Sequence, residues 1–449
     1  MRRGLAIFVL LAAAQFAGAV ERFPPPDFSS HVLPTTATPM PARWGVSWLD
    51  VALLAATLGG AGYFALVRRS RRGLVILSLA ALAYFGFVRA GCICPVGAIQ
   101  NVSAGLTLSD VFLSLPLLVY VLLPLATALV VGRAFCGAAC PLGAIQDLLL
   151  IKPLRVPQWL AQPLGMLPFA YLLTASALAA IGGQFIICRL DPFVGLFRAG
   201  HSAVLAVVQA AWPVTHQPMP SWLVAVPSAE VSGAVTLAGL AVLAICTVIA
   251  RPYCRFLCPY GAILSPLSVI SYRHCTVTPA ECVRCRLCEK ACPIDAIRPP
   301  TPELPASSRL AGKASLVLVL ALLPLLVAAM AWAATRFAPA LASLHPAVHD
   351  ARVVAQGGNS PEFDAMLGSG LSPGQMMERA AVLQSHLRDA MAIAGGLFGL
   401  VLWVKLLARS LRRRRLDYTI DKSACVSCGR CFRYCPIELQ RLKRIGRVQ

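Results

Sequence analysis

Cys282-Val283-Arg284-Cys285-Arg286-Leu287-Cys288-Glu289-Lys290-Ala291-Cys292-Pro293 is a C-x2-C-x2-C-x3-C-P run, and it recurs as Cys425, Cys428, Cys431, Cys435 and Pro436. Three thiolates at that pitch wrap one cuboidal iron-sulfur cluster, while the fourth, set apart by the proline, reaches the neighbouring cluster. A zinc ribbon or a set of disulfides competes with this reading. Zinc sites, however, space two C-x2-C pairs over a longer loop, and nothing about zinc asks for the x3-C-P ending. The two runs therefore predict one ferredoxin unit with two 4Fe-4S clusters and a crossed ligand set. Cys282, Cys285, Cys288 and Cys435 would hold one cluster; Cys425, Cys428, Cys431 and Cys292 would hold the other. Well over a hundred residues separate the runs, and much of that insert is apolar enough to cross a membrane.

Composition agrees with a membrane setting. Of 449 residues, 58% are hydrophobic and 13% charged, against roughly a quarter charged in soluble proteins. The net charge of +21 would suggest nucleic acid in a soluble chain. Here the arginines crowd the ends of apolar segments, where cytoplasmic flanks are basic, so topology accounts for the charge and no nucleic-acid partner is expected. Seventeen cysteines, mostly grouped within a few residues of one another, have the spacing of metal ligands rather than of a secreted disulfide framework.

Residues 1–19 have the basic start, short apolar core and small-residue end of a secretory signal, cleaved or kept as an anchor. Residues 20–45 are a proline-rich periplasmic linker. Apolar runs near the 20 residues needed to span a bilayer fall at about 46–67, 74–90, 111–132, 165–187, 233–250, 314–336 and 390–408. With the first run entering from outside, Arg68 to Arg72, Lys152, Arg155, the stretch from Arg251 to Lys313, and Arg409 with Arg412 to Arg415 all lie inside. Asp350, Glu362, Asp364 and Glu378 lie outside. The expected fold class is mostly α: a polytopic transmembrane helix bundle of about seven spans, with a small α+β two-cluster ferredoxin-like cytoplasmic domain formed by two remote segments. Its parts are a membrane domain at 46–270, the first ferredoxin half at 271–313, a transmembrane helix at 314–336, a periplasmic loop at 337–389, a transmembrane helix at 390–408, and the second ferredoxin half at 409–449. Residues 200–212 suit an interfacial or re-entrant helix.

A second motif sits where spans meet the cytoplasm. Arg133-Ala134-Phe135-Cys136-Gly137-Ala138-Ala139-Cys140-Pro141-Leu142-Gly143-Ala144-Ile145 recurs as Arg251-Pro252-Tyr253-Cys254-Arg255-Phe256-Leu257-Cys258-Pro259-Tyr260-Gly261-Ala262-Ile263. Proline suits the first turn of a helix, which puts Cys140 and Cys258 at helix starts, where the dipole and nearby arginines favour thiolate. Facing each other, Cys136, Cys140, Cys254 and Cys258 would supply four thiolates for one further metal or iron-sulfur centre. Tight structural corners with incidental cysteines, or redox-exchanging dithiols, are the alternatives. A third, altered copy carries Cys92 and Cys94 and is expected on the outer face, where Cys188 would join it as a small redox or metal site or as a disulfide with a spare thiol. Cys246 is expected to be a core hydrophobe and Cys275 a bystander.

There is no C-x-x-C-H for a c-type haem, and the histidines fall mostly in loops, so paired ligands for a transmembrane haem are missing. No phosphate-binding glycine loop follows a strand.

With C-x3-C-P corners followed by a polyferredoxin pattern, the chain resembles the NosR and NapH type of membrane iron-sulfur proteins over roughly residues 46–300 and the final run. That resemblance implies electron transport in anaerobic respiration, between the quinone pool or a cytoplasmic donor and a periplasmic reductase or cytochrome, or else assembly, maturation or redox regulation of such an enzyme. It also implies a bacterial inner-membrane location and an electron-transfer component rather than a stand-alone enzyme, with no catalytic residues of its own. Two departures stand out. The large periplasmic flavin domain of NosR-type proteins is not seen ahead of the first span, and spans six and seven divide the ferredoxin runs.

Overall fold

The computed structural model describes residues 47–89, 91, 94–108, 111–187, 191, 193, 195–201, 203, 233–277, 282–301, 308–356, 372–411 and 415–445. The signal, the linker to residue 45, Glu362, Asp364, Cys92, Cys188 and residues 204–212 of the interfacial segment fall outside them.

Among the described residues, five helices are long and apolar enough to cross a membrane: α1 (Trp48–Val67), α2 (Arg71–Val88), α4 (Gln158–Gly182), α6 (Leu323–Ala342) and α7 (Pro373–Ser410). Two more, α3 (Leu115–Val131) and α5 (Gly233–Cys246), are apolar but shorter. Each expected span thus has a helix, and five of the seven reach spanning length. Their outward faces are apolar. Only 11% of the apolar stretch of α6 is buried, leaving Leu325, Trp332 and Phe337 exposed, as a helix bathed in lipid requires.

Local chemistry sets the ends. Ser47 caps α1 in a capping box with Asp50, and the buried Asp50 carboxylate also takes the Tyr84 hydroxyl at 3.0 Å and the Arg89 guanidinium at 3.1 Å, tying the start of α1 to the end of α2. Helix α7 departs from expectation. Its span was expected to begin at residue 390, inside the far end of a loop at 337–389, yet the helix starts at Pro373, capped by Ser372 with Gln375 reaching back, and a further helix occupies Pro346–Ala355. Polar residues in its first turns hide this start from hydropathy, although the S-x-x-Q box marks it. Helices α6 and α7 close to backbone contact because Gly395 and Gly399 leave no side chain against Met330 and Leu326, whose carbonyl oxygens a Cβ would strike.

The only sheet among the described residues is the antiparallel pair β1 (Ile297–Arg298) and β2 (Thr419–Ile420), with Ile297 opposite Ile420. It joins the two remote ferredoxin segments. Their core is continuous with that of the helix bundle, since Val426, Ile294 and Ala296 pack in one cluster with Leu54, Phe135 and Tyr260.

Candidate iron-sulfur sites

The two runs fold alike. Each turns left-handed at the residue before its second cysteine, Arg284 (φ 50°) and Ser427 (φ 53°), and again just after it, Arg286 (φ 62°) and Gly429 (φ 76°). Paired left-handed turns curl the backbone around a small concavity. Short helices then follow, Leu287–Ala291 and Arg430–Tyr434, packed against each other.

Two cavities result. Cys282, Cys285 and Cys288 line the first together with Cys435. Cys425, Cys428 and Cys431 line the second together with Cys292. Each run therefore sends its fourth cysteine to the other run's cavity. Backbone amides support the sulfurs: Ala296 N–H donates to Cys292 Sγ at 3.3 Å and Ser427 N–H to Cys425 Sγ at 3.4 Å, bonds that favour thiolate. Burial works the other way, lifting the Cys288 thiol to about 11 and Cys431 well above its ordinary value. Iron must displace those protons on binding. Among the described residues no three His, Cys, Asp or Glu side chains converge closely enough for one metal ion, the grip a zinc ribbon needs. A cuboidal cluster spreads its four thiolates around four irons, and the donor set of each cavity fits that group.

Cys275, expected as a bystander, is packed beside the second cavity. It is 2% exposed and lines the second cavity as a fifth cysteine, brought there by tertiary packing that sequence spacing does not encode.

The second cavity lies against the helix bundle. Arg71 Nη1 donates to the Cys428 carbonyl at 2.5 Å. Arg69 pairs with the buried Glu438 at 2.7 Å and reaches the Thr276 carbonyl. Ser268 Oγ donates to the Lys422 carbonyl at 2.9 Å. Gly137, inside the first corner, touches the Val426 carbonyl so closely that any Cβ would collide with it. Arginines expected only to mark a cytoplasmic loop thus clamp the ferredoxin unit in place.

The two C-x3-C-P corners embrace reciprocally. Cys140 and Cys258 each cap a helix with proline at its first turn, Pro141–Leu149 and Pro259–Val269. A Cβ on Gly143 would lie 3.2 Å from Arg251 Nη1, and one on Gly261 3.1 Å from Arg133 Nη2, so each corner's arginine seats on the other corner's glycine. Gln146 locks them further, donating to Cys254 Sγ at 3.2 Å and accepting from Tyr253 N–H at 3.2 Å. Phe135 meets Tyr260 edge-on at 5.6 Å. Cys140 lies within electrostatic reach of Cys136, Cys254 and Cys258, although no three of these sulfurs converge as closely as a single metal ion would need. Cys94, expected on the outer face, is within the same reach of Cys140 and Cys258 and caps the helix Pro95–Gly105. It packs against the core cluster that contains Cys136, Cys140 and Cys258. Cys246 is fully buried at the end of α5, as expected of a core residue.

A helical chain whose remote cysteine runs fold together into two cavities, each lined by four cysteines of the runs, is an iron-sulfur protein. Comparison with known proteins agrees. One family described as a 4Fe-4S binding domain matches residues 113–155 and 232–273, which contain the two corners, and a second of the same description matches 276–298 and 418–438, which contain the two runs. No curated protein and no solved structure matches the chain.

Proposed function

We propose that this chain is a membrane-bound electron carrier of the inner membrane, with its ferredoxin unit on the cytoplasmic side. The crossing of Cys292 and Cys435 between the two cavities is the observation that carries the reading. A crossed ligand set places two one-electron centres side by side in one unit, and its clamps onto the bundle hold the second cavity against the corners. The clusters supply one-electron transfer. The chain's residues set their surroundings: amide N–H groups on the sulfurs, and at the second cavity Arg71 together with the apolar side chains of Ile294, Ile297, Ile420 and Val426. The corner cysteines Cys136, Cys140, Cys254 and Cys258 are proposed as a further metal or iron-sulfur centre between the ferredoxin unit and the far side of the bundle. The quinone pool and a periplasmic reductase or cytochrome are the proposed partners. The test is anaerobic purification with iron counting and EPR during a redox titration, followed by quinol addition to membranes. Two ferredoxin-type signals that quinol reduces support the carrier. Quinol-inert clusters, with a defect confined to metal loading of one partner enzyme, would replace it by an assembly role.

A further inference from the structure

The two corners are not symmetric in their ion pairs, and a cavity lies where they differ. Arg251 of the second corner has a carboxylate partner in the first, Asp147. Arg133 is its counterpart in the first corner. At the position equivalent to Asp147 the second corner carries Ser265, whose hydroxyl donates to the Ser423 carbonyl at 3.1 Å. Arg133 also spends Nη1 on that carbonyl, at 2.9 Å. It is 8% exposed, and its Nε has no hydrogen-bond partner.

Arg133 and Ser265 line a cavity of about 550 Å³ between the stretch 155–165, the second corner and the ferredoxin unit, a size that suits a small-molecule site. Four arginines face it, Arg133, Arg155, Arg255 and Arg298, against two carboxylates, Glu289 and Asp295. Both carboxylates are engaged by Arg155, at 3.8 and 3.3 Å, and Arg298 pairs with Asp421. Among the described residues neither Arg133 nor Arg255 has a carboxylate within ion-pair distance; Arg255 stacks on the Phe256 ring at 5.0 Å, feels Asp295 only at longer range, and its Nη1 is a second buried nitrogen without a hydrogen bond. Buried guanidinium nitrogens are rarely left unmet in a native protein. The guanidinium groups of the arginines that line the cavity have the charge and planar donor pattern that match an oxyanion.

We infer that this cavity binds a phosphate-type oxyanion, which stands where the first corner has Asp147 and neutralises Arg133 and Arg255. Phosphate on a lipid headgroup and phosphate on a soluble molecule share that chemistry. This assignment is independent of the electron-carrier reading, because it rests on charge and packing alone.

The test is thermal unfolding of the purified, cluster-loaded full chain. Inorganic phosphate, glycerol phosphate, and nanodiscs of phosphatidylglycerol or of phosphatidylcholine are compared with chloride at matched ionic strength. A rise of about 3 °C at saturation with a phosphate compound, lost in Arg255→Gln, supports the site. A response to the soluble compounds identifies a soluble ligand, and a response confined to phosphatidylglycerol identifies the lipid headgroup. Ser265→Asp supplies the missing carboxylate, so it should raise the unfolding temperature without phosphate and remove the response. The inference is overturned by no response in any arm, by a response that survives Arg255→Gln, or by an equal response to chloride, which would mean an adventitious ion only.

Discussion

Arg251 grips Asp147 with two hydrogen bonds, Nε to Oδ1 at 3.1 Å and Nη2 to Oδ2 at 2.8 Å. The same guanidinium also donates to the Cys136 carbonyl. One side chain thereby pins the second corner to the backbone and the following helix of the first.

Breaking that grip should be costly. Arg251 is 2% exposed, and removing its carboxylate strands a buried charge, typically at about 3–5 kcal/mol; Asp147 keeps a second, longer partner in Arg71 at 3.8 Å. Asp147→Asn and Arg251→Gln should each lower the unfolding temperature clearly, while an apolar replacement of both should recover part of the loss. Burial alone would raise the Asp147 carboxyl, but Arg251 outweighs it and holds the group below its ordinary range. The pair's contribution is therefore complete at neutral pH and fades only as pH falls through that depressed value. Unfolding temperatures of wild type and Asp147→Asn that stay apart below the ordinary carboxylate range and merge only under stronger acid would confirm the sign.

Gly137→Ala tests how the ferredoxin unit seats. Its Cβ would run into the Val426 carbonyl, between Cys425 and Cys428. The expected outcome is an altered or missing EPR signal from the second cavity with the first preserved. Gly59→Ala, with nothing within 4 Å, is the control. Identical spectra for the two variants would show that the contact at Gly137 does not position the cluster loop.

How far the residues announce this arrangement varies with the range of the interaction. Ligand pitch is local, so Cys282 to Cys292 and Cys425 to Cys435 are legible from spacing. Helix starts at Cys140 and Cys258 are legible for the same reason, because Pro141 and Pro259 act on the next turn. The seat of Gly137 under Val426, the arrival of Cys275 in the second cavity and the approach of Cys94 to the corners all join segments far apart in sequence. Nothing in their local spacing encodes them. Arg69 and Arg71 show a subtler limit. Charge bias explains their presence in a loop, but only packing reveals that they hold Glu438 and the Cys428 carbonyl.

Cross-coordination makes an unusual mutational pattern. Cys435→Ser, at the end of the second run, should perturb the cluster of the first, and Cys292→Ser should perturb the cluster of the second. Each is expected to change one EPR signal and one reduction potential while leaving the other centre intact. If either serine variant instead disturbed the cluster of its own run, the crossed assignment would fail.

The corner cysteines give the sharpest test of what lies between the ferredoxin unit and the rest of the bundle. Cys136, Cys140 and Cys258 are each less than a tenth exposed, as is Cys254, and unpaired thiolates in so dry a place are costly unless a metal or a counter-charge meets them. Arg133 and Arg251 are close at hand, yet Arg251 is already committed to Asp147 and Cys136. Gln146 gives Cys254 a single neutral hydrogen bond. A metal centre would resolve the shortfall; protonated thiols in a purely structural corner would resolve it equally well. The double variant Cys140→Ser, Cys258→Ser separates the two. With a centre present, iron content drops and one redox signal disappears while both ferredoxin signals persist. With structural corners, serine takes the place of a neutral thiol, iron content stays unchanged, and the proposed relay through the corners is wrong.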